Sequence, residues 1–117
     1  MATTREIRHA LAERLAERLA DIGAVVRTGD YHARKPGEPF DTRAFIVQIV
    51  LGPDSEEARD QLDELLDPTG LKALLEADDT LGGLVADLEV VRASGHRLYQ
   101  TDDGLRLGAE WTVHTRT

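Results

Sequence analysis

The C-terminal third of the chain carries the sequence LGAEWTVHT at residues 107–115. Its odd-numbered residues are apolar or weakly polar and its even-numbered residues are glycine or polar. This period of two is expected of a strand with one buried side. An apolar segment at 88–93, which can continue to Tyr99, supplies a second strand. Between them Asp102-Asp103-Gly104 predicts a turn, because Gly104 can adopt a positive φ. We therefore predict a hairpin over residues 86–117, with Trp111 in the core.

The N-terminal 23 residues predict an amphipathic helix. Thr3 and Glu6 have the spacing of a capping box, in which each side chain bonds the other residue's main-chain amide. An apolar stripe follows at helical spacing, made of Ile7, Leu11, Leu15, Leu19 and Ile22. Gly23 suits the left-handed position that ends many helices. Such a helix needs a flat apolar surface on which to bury its stripe.

Two further strands are predicted upstream of residue 52. Residues 24–27, with a continuation that can reach Tyr31, form a short strand. Residues 44–51 are apolar on both alternating sides except at Gln48, which is typical of a central strand. The segment between them, 32–43, contains two prolines and a glycine and predicts a long loop or arm. Loops of this length in small domains are usually functional or disordered.

Residues 54–79 form an acidic helical segment, with ten acidic residues against two basic ones. Asp54 or Ser55 is expected to cap a first helix. The apolar residues of that helix share one side: Ala58, Leu62, Leu65 and Leu66. The simplest interpretation of so acidic a segment is a helical surface exposed to solvent. The functional interpretation is a surface that binds a basic partner.

A second acidic helix is expected to start at Asp67 as its cap and Pro68 as its first residue, where the missing N–H of proline costs nothing. Its buried residues would be Leu71, Leu74 and Leu75. A glycine-dependent turn at 81–84 then leads into the hairpin. The chain is predicted to be one domain, residues 1–117, of the α+β class. Its order is α-β-β-α-α-β-β, with helices packed mainly on one side of an antiparallel or mixed four-stranded sheet.

Composition narrows the function classes. The chain of 117 residues is 41% apolar, has a net charge of −8 and contains no cysteine, which excludes disulfides and thiolate metal sites. No apolar run is long enough for a membrane helix, so we expect no membrane association. Its basic residues are interleaved with acids, without the clusters that hold nucleic acid phosphates.

Catalytic and metal sites are not predicted either. The four histidines, His9, His32, His96 and His114, are scattered and lack acidic residues at ligand spacing. The paired aspartates at 78–79 and 102–103 lie where caps and turns favour aspartate. No motif activates a serine nucleophile. We therefore expect no enzyme, no cofactor and no metal, but an interaction or structural protein.

Several motifs together resemble the tail terminator proteins of long-tailed bacteriophages, especially those with actinobacterial hosts. These are TLGGLVADL at 80–88, DDG at 102–104, LGAEWTV at 107–113 and LLDPTGL at 65–71, together with the leading amphipathic helix. The resemblance covers most of the chain, and its motifs are structural rather than chemical.

The resemblance implies a structural virion protein assembled in the host cytoplasm. Six copies would form a ring on the tail tube, stop its polymerisation and join it to the head connector. The expected partners are further copies of the chain, the tail tube protein and the head–tail connector protein. DNA would pass through the ring without sequence-specific binding, and an acidic lumen would let it slide because phosphates gain nothing there.

Contact residues rather than catalytic ones are therefore the candidate site. A head-to-tail ring needs two complementary surfaces on each copy. The arm would supply one surface and the first acidic helix the other: Arg34, Lys35, Phe40 and Arg43, with Glu56, Asp60, Asp63 and Glu64. Phe40 is either a cap folded over the core or an anchor for a partner.

Two other functions fit the same residues. One is another phage head–tail joining or neck subunit, with a different symmetry and partner. The other is a small cellular protein-binding domain whose acidic surface recruits a basic protein. The oligomeric state separates them.

Overall fold

The computed structural model describes residues 3–20, 25–32 and 42–116. Its seven elements follow the predicted order: α1 (Thr4–Arg18), β1 (Val25–His32), β2 (Thr42–Val50), α2 (Glu56–Leu66), α3 (Leu71–Glu76), β3 (Asp87–Thr101) and β4 (Gly104–Arg116). The four strands form one antiparallel sheet in the order β1-β2-β4-β3. The α+β prediction is confirmed.

One side of the two central strands carries the core. Antiparallel partners lie on the same side of a sheet, and the pairs Phe45–Val113, Val47–Trp111 and Ile49–Ala109 are all buried. The three helices contribute to the same apolar cluster through Ile7, Leu11, Leu15, Leu62, Leu71 and Leu75. We call this the helix side of the sheet. The other, open side carries the even-numbered residues of β4.

The hairpin turn forms as predicted, and the N-terminal capping box forms in part. Thr3 Oγ1 accepts a hydrogen bond from the Glu6 amide at 3.2 Å, as predicted, but Glu6 Oε1 accepts from the Thr3 hydroxyl at 3.1 Å and not from the Thr3 amide. Helix α1 ends at Arg18, and the predicted continuation through Ile22 and Gly23 lies outside the described residues. At the hairpin turn Gly104 has φ +108°, a value that side chains on Cβ disfavour.

The long loop is shorter at both ends than the sequence predicted. His32 and Arg43 are paired residues of β1 and β2, so β1 runs one residue and β2 two residues into the predicted segment 32–43. The connection is residues 33–41, outside the described part of the chain. Main-chain pairing with neighbouring strands extends β2, because Thr42 and Arg43 also face Arg116 and Thr115 of β4.

The junction between α2 and α3 also differs from the prediction. Of the two predicted caps of α2, Ser55 is the one that forms, accepting from the Ala58 amide at 3.1 Å. Asp67 ends α2 instead of starting α3. Its carboxylate accepts hydrogen bonds from the Thr69 amide at 2.9 Å and the Thr69 hydroxyl at 2.8 Å. Because that local turn satisfies Asp67, α3 begins only at Leu71.

Helix α3 caps one edge of the sheet with an ion pair. Lys72 Nζ lies 2.6 Å from Glu76 Oε2 and donates to the Val90 carbonyl at 3.1 Å. The Val90 amide donates to Glu76 Oε2 at 3.0 Å. Val90 belongs to edge strand β3, so two side chains occupy the main-chain groups that another strand would bind. A register shift follows at once, between Val90 and Arg92.

Removing this ion pair should cost stability in a pH-dependent way. The hydrogen bonds from Lys72 and then from the Val90 amide hold the pKa of Glu76 below its ordinary 4.5. A lowered folded-state pKa stabilises above the unfolded value and stops doing so as pH falls through the folded value. We expect Glu76→Gln to lower the free energy of unfolding at pH 7 by about 1 kcal/mol.

Urea denaturation from pH 7 to pH 3 measures this difference. The gap between wild type and Glu76→Gln should narrow below the ordinary pKa of 4.5. The control is Glu57→Gln, since Glu57 is exposed on α2. An equal loss in the control, or a gap that does not change with pH, would contradict the role of Glu76.

Candidate protein-interaction surface

Helix α2 presents four carboxylates on one exposed side. Glu56, Asp60, Asp63 and Glu64 are spaced at i, i+4, i+7 and i+8, and all four are exposed. We call them the acidic stripe. The opposite side of the helix is held in the core by Ala58 and Leu62, so burial fixes the direction in which the stripe points. These four of the eight candidate contact residues lie together, as the sequence predicted.

Most of the stripe forms no salt bridge among the described residues. Asp63 Oδ1 lies 2.8 Å from His96 Nε2, whereas Glu56, Asp60 and Glu64 make no salt bridge there. Arg59 of the same helix attracts Glu56 and Asp63, but its close contacts are to Asp54. Arg59 forms two hydrogen bonds to Asp54, at 2.7 and 2.9 Å, and these lower the pKa of the Asp54 carboxyl.

Repulsion within the stripe costs helix stability, and the attraction of Arg59 for Glu56 and Asp63 offsets part of that cost. Like charges four residues apart destabilise a helix by about 0.2–0.5 kcal/mol per pair. The stripe contains two such pairs, Glu56 with Asp60 and Asp60 with Glu64. An isolated monomer gains nothing from keeping this repulsion, so the pattern favours the functional interpretation of the segment.

An apolar groove borders the acidic stripe. It has a volume of about 650 Å³, and its lining includes Asp63 and Glu64 beside Leu19, Leu65 and Leu74. The three leucines come from the end of α1, from α2 and from α3. A groove with an apolar floor and an acidic rim suits a partner segment that carries both apolar and basic side chains.

Of the other four predicted contact residues, three lie outside the described residues and the fourth is buried. Arg34, Lys35 and Phe40 lie outside the described residues. Arg43 is described, and its assignment to the arm is wrong: it is the second residue of β2 and only 8% exposed. Cross-strand pairing with Thr115, which is fully buried, places Arg43 on the helix side. Little of its side chain is therefore available to a partner.

The open side of the sheet carries arginines that the sequence did not reveal as a group. Register places Arg27 of β1 beside Gln48, and Arg92 and Arg97 of β3 beside Thr112 and Gly108. All three arginines are exposed. They are far apart in sequence, and only the strand register shows that they share one side of the sheet.

Two polar contacts organise the centre of this open side. Glu110 accepts a hydrogen bond from Gln48 Nε2 at 2.9 Å and lies 3.8 Å from Arg97.

Tyr99 packs over Gly108, where an added Cβ would lie 2.8 Å from the Tyr99 ring. Burial, and then the negative charge of Glu110, raises the pKa of the Tyr99 hydroxyl to about 12. The hydroxyl therefore stays protonated at neutral pH.

The described residues contain no group of three or more side chains that could hold a metal ion. His9 lies on α1, His96 on β3 and His114 on β4, and His32 ends β1 instead of lying in the loop. One aspartate of each predicted pair lies beside an arginine: Asp78 forms an ion pair with Arg14 of α1, and Asp103 lies 2.9 Å from Arg106.

Within the described ranges, no helix is both long and apolar enough to cross a membrane. No protein-family model matches the chain, and no curated protein matches it significantly.

Reversing one charge in the middle of the stripe should stabilise the folded chain. Asp60→Lys replaces two repulsive pairs with two attractive ones, Glu56 with Lys and Lys with Glu64. We expect the Tm to rise by about 3–6 °C at low ionic strength. Added salt should reduce the gain, because exposed charges are screened.

Thermal denaturation followed by circular dichroism measures this shift. Asp60→Asn is the matched control, since it removes the repulsion without adding attraction and should give a smaller rise. A fall in Tm for Asp60→Lys would mean that Asp60 has a stabilising partner and that the stripe is not under strain.

Proposed function

We propose that this chain is a structural virion protein, a tail terminator subunit of a long-tailed phage. Six copies close into a ring on the end of the tail tube, stop its polymerisation and join it to the head connector. The described residues contribute contacts and no chemistry to this role.

The observation that carries the proposal is the opposite character of two surfaces on one protomer. The acidic stripe faces outward from α2, which packs on the helix side, while Arg27, Arg92 and Arg97 lie on the open side. In a ring whose copies are related by rotation, each copy needs two different surfaces that are complementary to each other. The resemblance of its motifs to those of tail terminators supports the proposed family, and the charge distribution supports a subunit that assembles head to tail.

The remaining partners follow from the same charges. A ring with a net charge of −8 per copy repels DNA phosphates, so DNA passes through its lumen without being held. The groove beside the acidic stripe suits a basic, partly apolar segment of the tube or connector protein. The segment 33–41, with Arg34 and Lys35, offers such a sequence to a neighbouring ring or tube.

The acidic stripe alone also supports a second function, that of a small protein-binding domain. A small binding domain that recruits a basic protein would use the same four carboxylates, but it would not need a second surface. A neck subunit with twelve copies would need both. The number of copies in the assembly therefore decides among the three.

Native mass spectrometry over a wide concentration range, with electron microscopy of the same sample, tests the proposal. We expect closed six-fold rings that cap purified tail tubes and halt their growth. Asp60→Lys should weaken ring formation while raising the Tm, which separates loss of assembly from loss of folding. Asp79→Lys, an equal charge change at an exposed turn position outside α2, is the control.

Three results would contradict the proposal. A ring of twelve would assign the chain to the neck, and a discrete dimer would favour a cellular binding domain. Six-fold rings that leave tube growth unaffected would mean that the chain assembles as proposed but does not terminate tails.

A further inference from the structure

The two edge strands of the sheet, β3 and β1, differ in how regular they are and in whether their outer main-chain groups are already bonded. At Val90 the main chain of β3 is occupied by Lys72 and Glu76. Register shifts at Val90/Arg92 and again at Ser94/Arg97 further interrupt this part of the edge. Such features prevent another strand from pairing. The first part of β3, residues 87–96, is therefore closed to a pairing strand.

The second half of β3 is regular. On the strand it pairs with, Leu107 bonds Leu51 and Gly52 through the main chain, and the hairpin turn borders a cavity that Val25 and Arg27 also line. Residues 97–101 pair with 108–104 of β4 without interruption. Strand β2 ends at Val50, which faces Gly108, so the hairpin continues beyond its neighbour. We call residues 97–106 the hairpin end. Its outer strand offers five consecutive residues to a pairing partner.

Strand β1 forms the other edge and is also regular. All eight of its residues pair with β2 in unbroken register, from Val25–Val50 to His32–Arg43. No main-chain hydrogen bond between described residues reaches its outer side. A regular edge of this length can accept another strand.

Exposed apolar residues concentrate at these same two places. Among the described residues four large apolar side chains are exposed: Val25 45%, Val91 43%, Leu98 53% and Leu105 55%. Val25 begins β1, and Leu98 and Leu105 belong to the hairpin end. Only Val91, at the first register shift of β3, lies elsewhere. Apolar side chains beside free main-chain groups are typical of an edge that is covered in an assembly.

We propose that the hairpin end of one copy adds to β1 of the next copy, so that neighbouring sheets become continuous. Leu98 lies directly opposite the buried Leu107 and therefore points to the helix side. Val26 of β1 packs against the core from that side as well. An added strand with Leu98 beside Val26 extends the core across the contact. The contact is head to tail, and it rests on the proposed ring function.

A complementation experiment tests this contact. Val25 points to the open side, where Arg97 and Tyr99 flank Leu98 on the added strand. Val25→Lys therefore places a charge against that strand and leaves the hairpin end intact, and Leu98→Lys does the reverse. Each variant alone should be monomeric at concentrations where the wild type assembles, with at least about a tenfold weaker association. Val91→Lys, an equally exposed valine outside both segments, should assemble like the wild type. Circular dichroism confirms that each variant is folded.

Mixing the two deficient variants gives the decisive result. A head-to-tail contact leaves one intact β1 and one intact hairpin end, so an equimolar mixture should form heterodimers and nothing larger. Native mass spectrometry resolves them, because Val25→Lys and Leu98→Lys differ in mass. Loss of assembly in Val25→Lys alone would mean symmetric β1–β1 pairing and would overturn the proposal.

Other outcomes separate this proposal from the function it rests on. If both variants form rings like the wild type, the edge contact is wrong and the terminator function stands. If the variants behave as predicted but wild-type rings do not halt tail-tube growth, the edge contact is right and the function is wrong. A wild type that stays monomeric at every concentration overturns the edge contact.

Discussion

The hydrogen bonds of Val90 are the constraint on which this architecture depends. A four-stranded sheet has two edges, and each edge exposes unpaired main-chain groups. Lys72 and Glu76 satisfy both groups of Val90 and in doing so anchor α3 to the edge of β3. With α3 anchored there, α2 packs against the sheet and its acidic stripe faces solvent. The ion pair thus closes one edge segment, while the burial of Ala58 and Leu62 directs the acidic stripe to solvent.

Much of this fold could be predicted from local patterns in the sequence. Three features depend on residues close in sequence: the helix cap at Thr3 and Glu6, the alternation around Trp111 and the turn at Gly104. For that reason the predicted element order and the predicted core residues of β4 are confirmed. The acidic stripe was predictable on the same ground, since helical periodicity alone places its four carboxylates on one side.

What the sequence could not supply depends on pairing between distant residues. Arg43 follows a loop rich in proline and glycine, and its pairing with His32 and Thr115 places it in the sheet. Asp67 has the properties of a helix cap, but a bond to Thr69 two residues later satisfies it first. The arginines of the open side come from β1 and β3, and their common side follows from strand register. The capped edge likewise depends on residues 14 and 18 positions apart.

Together these features describe a protomer with one closed edge segment and two regular edge segments whose outer sides make no main-chain hydrogen bond among the described residues. An acidic stripe lies on α2, and three exposed arginines lie on the open side of the sheet. Hydrogen–deuterium exchange of the wild type, measured from dilute to concentrated solution, tests this account most directly. It predicts that amides of residues 25–32 and 97–101 gain protection together as the chain associates, while the Val90 amide, already bonded to Glu76, does not change. Association that protects neither segment, or only one of them, would contradict it.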